Sequence, residues 1–125
     1  MTDIDELYEE VSLAIANAEA IPEARRRDAA VAWLGVAQLE RRIAEQRDAS
    51  TVSGVAARVG AVRAAIQGRD LRLAEELATA YLVDVALAER SRGALEQLLA
   101  EVTRELQPLT TLDPEILPVD AKIAA

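Results

Sequence analysis

Residues 52–67 read VSGVAARVGAVRAAIQ, and this stretch decides the class of fold. Its branched apolar residues recur at intervals of three and four, the spacing that places side chains on one face of an α-helix: Val52, Val55, Val59, Val62 and Ile66. Gly60 and several alanines lie between them, and small residues on more than one face let neighbouring helices approach closely. We therefore predict a helix over 52–67 that packs against two neighbours.

The sequence before this stretch predicts two further helices. The first spans 3–20 and has Thr2 as its N-cap. The second spans 22–47, with a proline in its first position, where a missing N–H is tolerated. Within the second helix, residues 31–37 are apolar nearly all round and are expected to lie between other helices. Its last part, 40–47, is mostly charged and is expected to be solvated.

The sequence after this stretch predicts a tight turn and a long helix. Gly68 suits the left-handed C′ position of a helix end, and Asp70 suits the N-cap of the next helix. An apolar stripe then runs over 71–106 and is interrupted at Arg92. We favour one long helix with a bend at that point. The alternative is a separate fifth helix that begins at Ser91.

The composition supports an all-α protein, because 26 alanines and 16 leucines, both strong helix formers, make up a third of the 125 residues. Prolines recur after residue 107 and exclude a continuous helix there, although that segment keeps many apolar residues. The sequence therefore predicts a bundle of four helices, or five, with a long C-terminal helix over 1–107. An extended, proline-containing apolar tail over 108–125 is expected to pack on the bundle or on a partner.

Charge is distributed unevenly along the chain. The net charge is −8, but residues 1–23 carry seven acids and no base, whereas 24–72 carry ten arginines against five acids. This asymmetry favours pairing within the molecule. A net charge of this sign opposes binding to the phosphate backbone of nucleic acids, so no nucleic-acid partner is expected.

Three consecutive arginines, Arg25, Arg26 and Arg27, form the most unusual local cluster. They lie in the first turn of a predicted helix, where the helix dipole disfavours cations unless anions are near. We favour an arrangement in which Glu19, Glu23 and other acids of the first helix neutralise them. The alternative is a surface patch that binds an anion or an acidic partner, because guanidinium groups match oxyanions well.

Several classes of chemistry have no residues to support them. The chain has no cysteine and no histidine, which excludes disulfides, thiolate chemistry and ordinary zinc sites. It also has no glycine-rich phosphate loop and no nucleophile–base pair, so we expect no cofactor, no metal and no enzymatic activity. The acidic start differs from a signal peptide and no apolar run is long enough to span a bilayer, so a cytoplasmic prokaryotic protein without a membrane partner is expected.

These observations favour a non-enzymatic helical module that binds a protein partner, including a second copy of itself as a homodimer. The expected interface is the apolar surface of the long helix and the tail: Leu95, Leu99, Val102, Leu106, Leu109, Leu112, Ile116 and Leu117. One alternative is an acidic inhibitor of the immunity-protein or antitoxin type, which requires exposed, unpaired acids on the first helix. A second alternative is a small-molecule-binding bundle, which requires an apolar cavity.

Overall fold

The computed structural model describes residues 3–110 of the chain, with side chains over 3–107. This part is all-helical and contains five α-helices: α1 (Ile4–Ala20), α2 (Arg26–Gln46), α3 (Val52–Gln67), α4 (Leu71–Leu82) and α5 (Glu89–Thr110). A single 3₁₀ turn, Glu23–Arg25, precedes α2. The predicted all-α bundle is confirmed, and it has five helices within the described residues.

The helices pack in the order of the chain. Each helix contacts the next, α3 also contacts α5, and within residues 3–110 α1 contacts α2 alone among the other four α-helices. Because the connections are short, successive helices run antiparallel. The turns over 21–25 and 68–70 therefore lie together, and we call this the first end. The connections over 47–51 and 83–88 lie at the opposite, second end.

The buried face of α3 is made mainly of alanines, and the predicted valine stripe is buried only in part. Val52 is 89% exposed, whereas Val62 and a row of small residues are buried: Ala57, Ala61, Ala64 and Ala65. The reason is that α2, α4 and α5 all contact α3, so that small side chains fit where branched ones would hold the helices apart. The core therefore depends on close helix packing, as the alanine content indicated.

Both ends of α3 are set by hydrogen bonds. Thr51 is the N-cap, and its hydroxyl accepts a hydrogen bond from the N–H of Gly54 at 3.0 Å. At the other end the predicted role of Gly68 was wrong, because its φ is −78° and Arg69 takes the left-handed conformation with φ of 63°. The N–H of Asp70 donates to the carbonyl of Ala65, and that of Arg69 to Ile66, the pattern of a Schellman motif.

Gly68 is required by packing instead. A Cβ at this position would lie 2.5 Å from Cδ2 of Leu34 on α2. Asp70 then caps α4 as predicted, because its Oδ1 accepts from the N–H of Leu73 at 3.0 Å. The α3–α4 turn is thus a tight connection with a fixed geometry.

The single long helix favoured from the sequence was wrong. The helix ends at Leu82, residues 83–88 form a non-helical connection before Arg92, and α5 begins at Glu89. Arg92 is no defect in the stripe, because its guanidinium donates to the carbonyl of Leu82 at 2.6 Å and to that of Asp84 at 3.0 Å. These bonds satisfy the end of α4, and Leu87 anchors the connection in the core at 5% exposure.

The first two helices also differ from prediction at particular residues. The N-cap of α1 is Asp3, while Thr2 lies outside the described residues. The second helix begins at Arg26, because the chain after the proline first forms a 3₁₀ turn. Val31 is 70% exposed, since only α1 and α3 cover α2 among the α-helices of the described part.

The C-terminal prediction is described only in part. The backbone of α5 continues to Thr110, beyond the boundary predicted after residue 107. Residues 111–125 of the predicted tail lie outside the described residues. No helix in the described part of the chain is long and apolar enough to cross a membrane.

Candidate functional site

An open groove of about 900 Å³ lies at the first end of the bundle. It is formed by the C-terminal end of α1, the first two turns of α2 and the C-terminal end of α3. Its polar and aromatic lining comes from all three regions: Glu19, Glu23, Arg26, Arg27, Trp33, Gln67 and Arg69. The groove therefore combines residues that the turns at 21–25 and 68–70 bring together from distant parts of the sequence.

Three arginines in this groove are available for a ligand. Arg26 and Arg27 lie in the first turn of α2, and Arg69 projects from the left-handed residue of the α3–α4 turn. All three are exposed, and none of their guanidinium groups forms a hydrogen bond or an ion pair with the residues that the structure describes. Arg25 differs, because its Nε donates to Oδ2 of Asp28 at 2.9 Å. The predicted patch thus loses Arg25 and gains Arg69.

Trp33 supplies an aromatic surface within the same groove. It lies two turns after Arg26 along α2, is half-buried and packs against the core, so that its indole has a restricted position. Tryptophan and arginine are the residues that most often dominate the binding energy of protein interfaces. The combination of one held indole and three unpaired guanidinium groups is suited to a ligand with both apolar and anionic parts.

The acids of α1 do not neutralise these arginines as expected from the sequence. Glu19 and Glu23 line the groove, but the ion pairs within the described residues are Arg25–Asp28 and Arg72–Glu75. The other acids of α1 lie in its first half, which is about 12 Å or more of helix from the groove. The arginines of the groove therefore keep a net positive lining.

Two of the eight predicted interface residues on the long helix and the tail are internal. Leu95 is 0% and Val102 is 1% exposed, because α3 and α4 cover them, so neither side chain is accessible to a partner. Leu99 and Leu106 are half-buried. The side chain of Leu109 is not among those described, and the remaining predicted positions, Leu112, Ile116 and Leu117, lie outside the described residues.

Leu99 contributes to a second, shallow groove of about 540 Å³ between α4 and α5. Ala80 and Val83 lie beside it, and Val83 is 75% exposed. The sequence did not predict the α4 part of this surface, because it did not predict that α4 ends at Leu82. This groove has an apolar floor but no unpaired basic residue in its lining.

The side chains of two arginines at the second end, Arg47 and Arg58, already contact other parts of the fold. Nη1 of Arg58 donates to the carbonyls of Arg47 (3.1 Å) and Gly54 (2.9 Å), and its guanidinium lies 5.6 Å from the ring centre of Tyr81. The guanidinium of Arg47 similarly lies 5.8 Å from the ring centre of Tyr8. These side chains join turns and helices, and they are not free for a ligand.

Like Arg69, Glu40 lies in an environment that was not predicted from the sequence. The prediction placed it in a solvated segment, but it is half-buried where α2 crosses α3, and its carboxylate lies beside Gly60. Burial raises the pKa of Glu40 from 4.5 to about 7. The spacing Trp33, Ala37, Glu40 and Ala44 was the available signal, because it continues one helical face. Glu40 lies outside the groove and does not contribute to its charge.

Residues 3–110 contain no group of three or more acidic side chains arranged to hold a metal ion. Comparison of the chain with protein-family models, with curated proteins and with solved structures found no match. The groove is therefore the feature of the described structure from which a function can be inferred.

Proposed function

We propose that the protein is a non-enzymatic helical interaction module, and that the groove at the first end binds an acidic segment of a partner protein. The observation that carries this proposal is the set of three arginines, Arg26, Arg27 and Arg69, whose guanidinium groups have no partner among the described residues and line the same groove as the half-buried Trp33. Guanidinium groups bind carboxylates through paired hydrogen bonds, which gives both affinity and orientation.

The groove also limits which acidic segments fit. Glu19 and Glu23 lie in its lining and repel a segment that is acidic at every position. Trp33 favours a ligand that places an apolar side chain on the indole. The preferred ligand is therefore a segment with two or three acids beside one apolar residue.

Trp33 makes this proposal directly measurable, because it is the only tryptophan in the chain. The probe is a synthetic peptide with alternating glutamate and leucine, titrated against the full chain at about 0.1 M salt, where charges in contact are not fully screened. We expect a saturable change in tryptophan emission. The R26A/R27A variant is expected to bind about tenfold more weakly or worse, which corresponds to about 1.4 kcal/mol.

The matched control is R63A/R104A, which removes the same charge from two exposed positions outside the groove lining. If this control weakens binding as much as R26A/R27A does, the interaction depends on total charge and the groove is not the site. An unchanged emission at all peptide concentrations also contradicts the proposal.

A second candidate function is an acidic inhibitor of a basic partner. It is favoured by Glu6, Glu9 and Glu10, which are exposed and form no ion pair with the described residues. This candidate predicts that a lysine-rich peptide binds and that E6Q/E9Q/E10Q abolishes the binding, while R26A/R27A does not. Retention of binding by the glutamine variant would exclude it.

A further inference from the structure

We propose that the segment accepted by the groove is the acidic first half of α1 from a second copy of this chain, so that copies associate head to tail. This inference rests on the proposed function and names its partner. Two exposed surfaces of opposite charge carry it: the arginine groove at the first end, and the outer face of α1, whose acids begin at the second end.

The outer face of α1 has the composition that the groove requires. Glu6, Glu9 and Glu10 are exposed on successive turns, and Leu13, which follows on the same face, is 63% exposed. An exposed leucine beside a cluster of acids provides both the anionic groups for the arginines and an apolar side chain for Trp33. The two surfaces therefore match in charge and in apolar character.

A chain cannot join its own two surfaces. The acids lie in the first half of α1, and the groove begins at the last turn of the same helix, about 12 Å further along a rigid rod. The contact is consequently between copies. It joins two different surfaces, so it is heterologous and extends into chains where it does not close into a ring.

The net charge of −8 per copy weakens this association without removing its specificity. At about 0.1 M salt the Debye length is about 10 Å, so repulsion between whole copies is damped while charges in direct contact still interact. At about 1 M salt the Debye length is about 3 Å and the contact itself is weakened. At the lower salt, we expect the average mass to rise with protein concentration. At the higher salt, we expect a lower average mass at the same protein concentration.

Mixing two neutralised variants tests the head-to-tail geometry. R26A/R27A keeps the acidic face but loses the groove, and E9Q/E10Q keeps the groove but loses the acidic face. By sedimentation equilibrium of the full chains, at concentrations up to about 1 mM, each variant alone is expected to be monomeric. Their equimolar mixture is expected to form a dimer of twice the monomer mass, because one intact surface of each kind remains.

The matched control is E96Q/E101Q, which removes two exposed acids from α5 and is expected to associate as the unmodified chain does. A monomeric unmodified chain throughout the concentration range overturns this inference. So does a mixture that remains monomeric, or association that survives in both variants alone. The peptide titration followed by Trp33 is a separate measurement. If the groove binds the peptide but the protein stays monomeric, the inference that a second copy is the ligand is wrong, and the proposed function still stands.

Discussion

The two ends of the molecule are both rich in arginine, but they use it differently. At the second end, Arg47, Arg58 and Arg92 donate to backbone carbonyls or lie against aromatic rings, and so join one helix to another. At the first end, the arginines of the groove have no such partner among the described residues. Arg58 and Arg92 therefore hold helices together, whereas the guanidinium groups of the groove are left available for binding.

The largest expected effect is at Arg58. Substitution by alanine removes the hydrogen bond to the carbonyl of Arg47 and the contact with the Tyr81 ring, which join α3 to the end of α2 and to α4. It also removes the hydrogen bond to the carbonyl of Gly54 within α3. Hydrogen bonds from charged groups contribute about 1.5 to 3 kcal/mol each. The two bonds share one nitrogen of Arg58, so their contributions do not simply add. We expect R58A to lower the free energy of unfolding by about 3 kcal/mol, measured by urea denaturation.

Arg63 is the matched control for this prediction. It lies on the same helix, is exposed, and forms no bond with the described residues. R63A is expected to change stability by less than about 0.5 kcal/mol. Equal losses in R58A and R63A would mean that the bound arginines do not differ from the unbound ones.

The next effect concerns the break between α4 and α5. R92A removes the donors to the carbonyls of Leu82 and Asp84. Because one of these bonds is exposed, we expect a loss of about 2 kcal/mol in the free energy of unfolding. R90A, which removes an exposed arginine of the same turn, is the control. A loss below about 0.5 kcal/mol in R92A would show that water satisfies the end of α4 equally well.

The ends of the helices differ in how accurately the sequence predicts them. Both bounds of α3 were predicted correctly, because Thr51 and the residues after Gln67 act on backbone groups within a few residues of themselves. The end of α4 at Leu82 was missed, because one of the bonds that stabilise it comes from Arg92, ten positions later, and does not alter the apolar period. Local signals are visible in a sequence, whereas bonds across a connection are not.

The same distinction applies to the groove. Arg26 and Arg27 stood out as a run of like charges, and the structure retains both in the groove. Arg69 did not, because it joins them only after α3 packs on α2 and the two turns meet at one end. Leu95 was predicted at an interface and is buried instead, since a stripe shows which face is apolar but not what covers it.

Stability is expected to depend on pH through Glu40, which lies in the middle of the molecule, between the two ends. The pKa of Glu40 is raised from 4.5 to about 7 in the folded protein, so the folded state retains a proton that the unfolded chain loses between these values. Its contribution to stability is therefore full below about pH 4.5 and is lost as the pH rises through 7. The full shift corresponds to about 3 kcal/mol, and partial exposure of the carboxyl reduces it to about 1 to 2 kcal/mol.

E40Q isolates this contribution, because the amide does not titrate and keeps the shape of the side chain. The difference in unfolding free energy between the unmodified chain and E40Q, measured at pH 5 and pH 8, gives the effect directly. We expect E40Q to lose less stability on going to pH 8. A difference that is independent of pH would show that Glu40 is ionised at both values.

The smallest effect on stability, at Arg69, separates binding from folding most directly. Its left-handed conformation costs a non-glycine residue about 1 kcal/mol, and a glycine adopts it without that cost. R69G is therefore expected to raise the free energy of unfolding by up to about 1 kcal/mol. The same variant removes one guanidinium from the groove and is expected to weaken binding of the acidic peptide about tenfold.

The decisive measurement is thus made on R69G and R69A together, with urea denaturation and the Trp33 titration performed on the same samples. If Arg69 is retained for binding, both variants lose affinity and R69G alone gains stability. If R69G is less stable than the unmodified chain, or binds the peptide equally well, the arginines of the first end are structural and the groove is not the binding site.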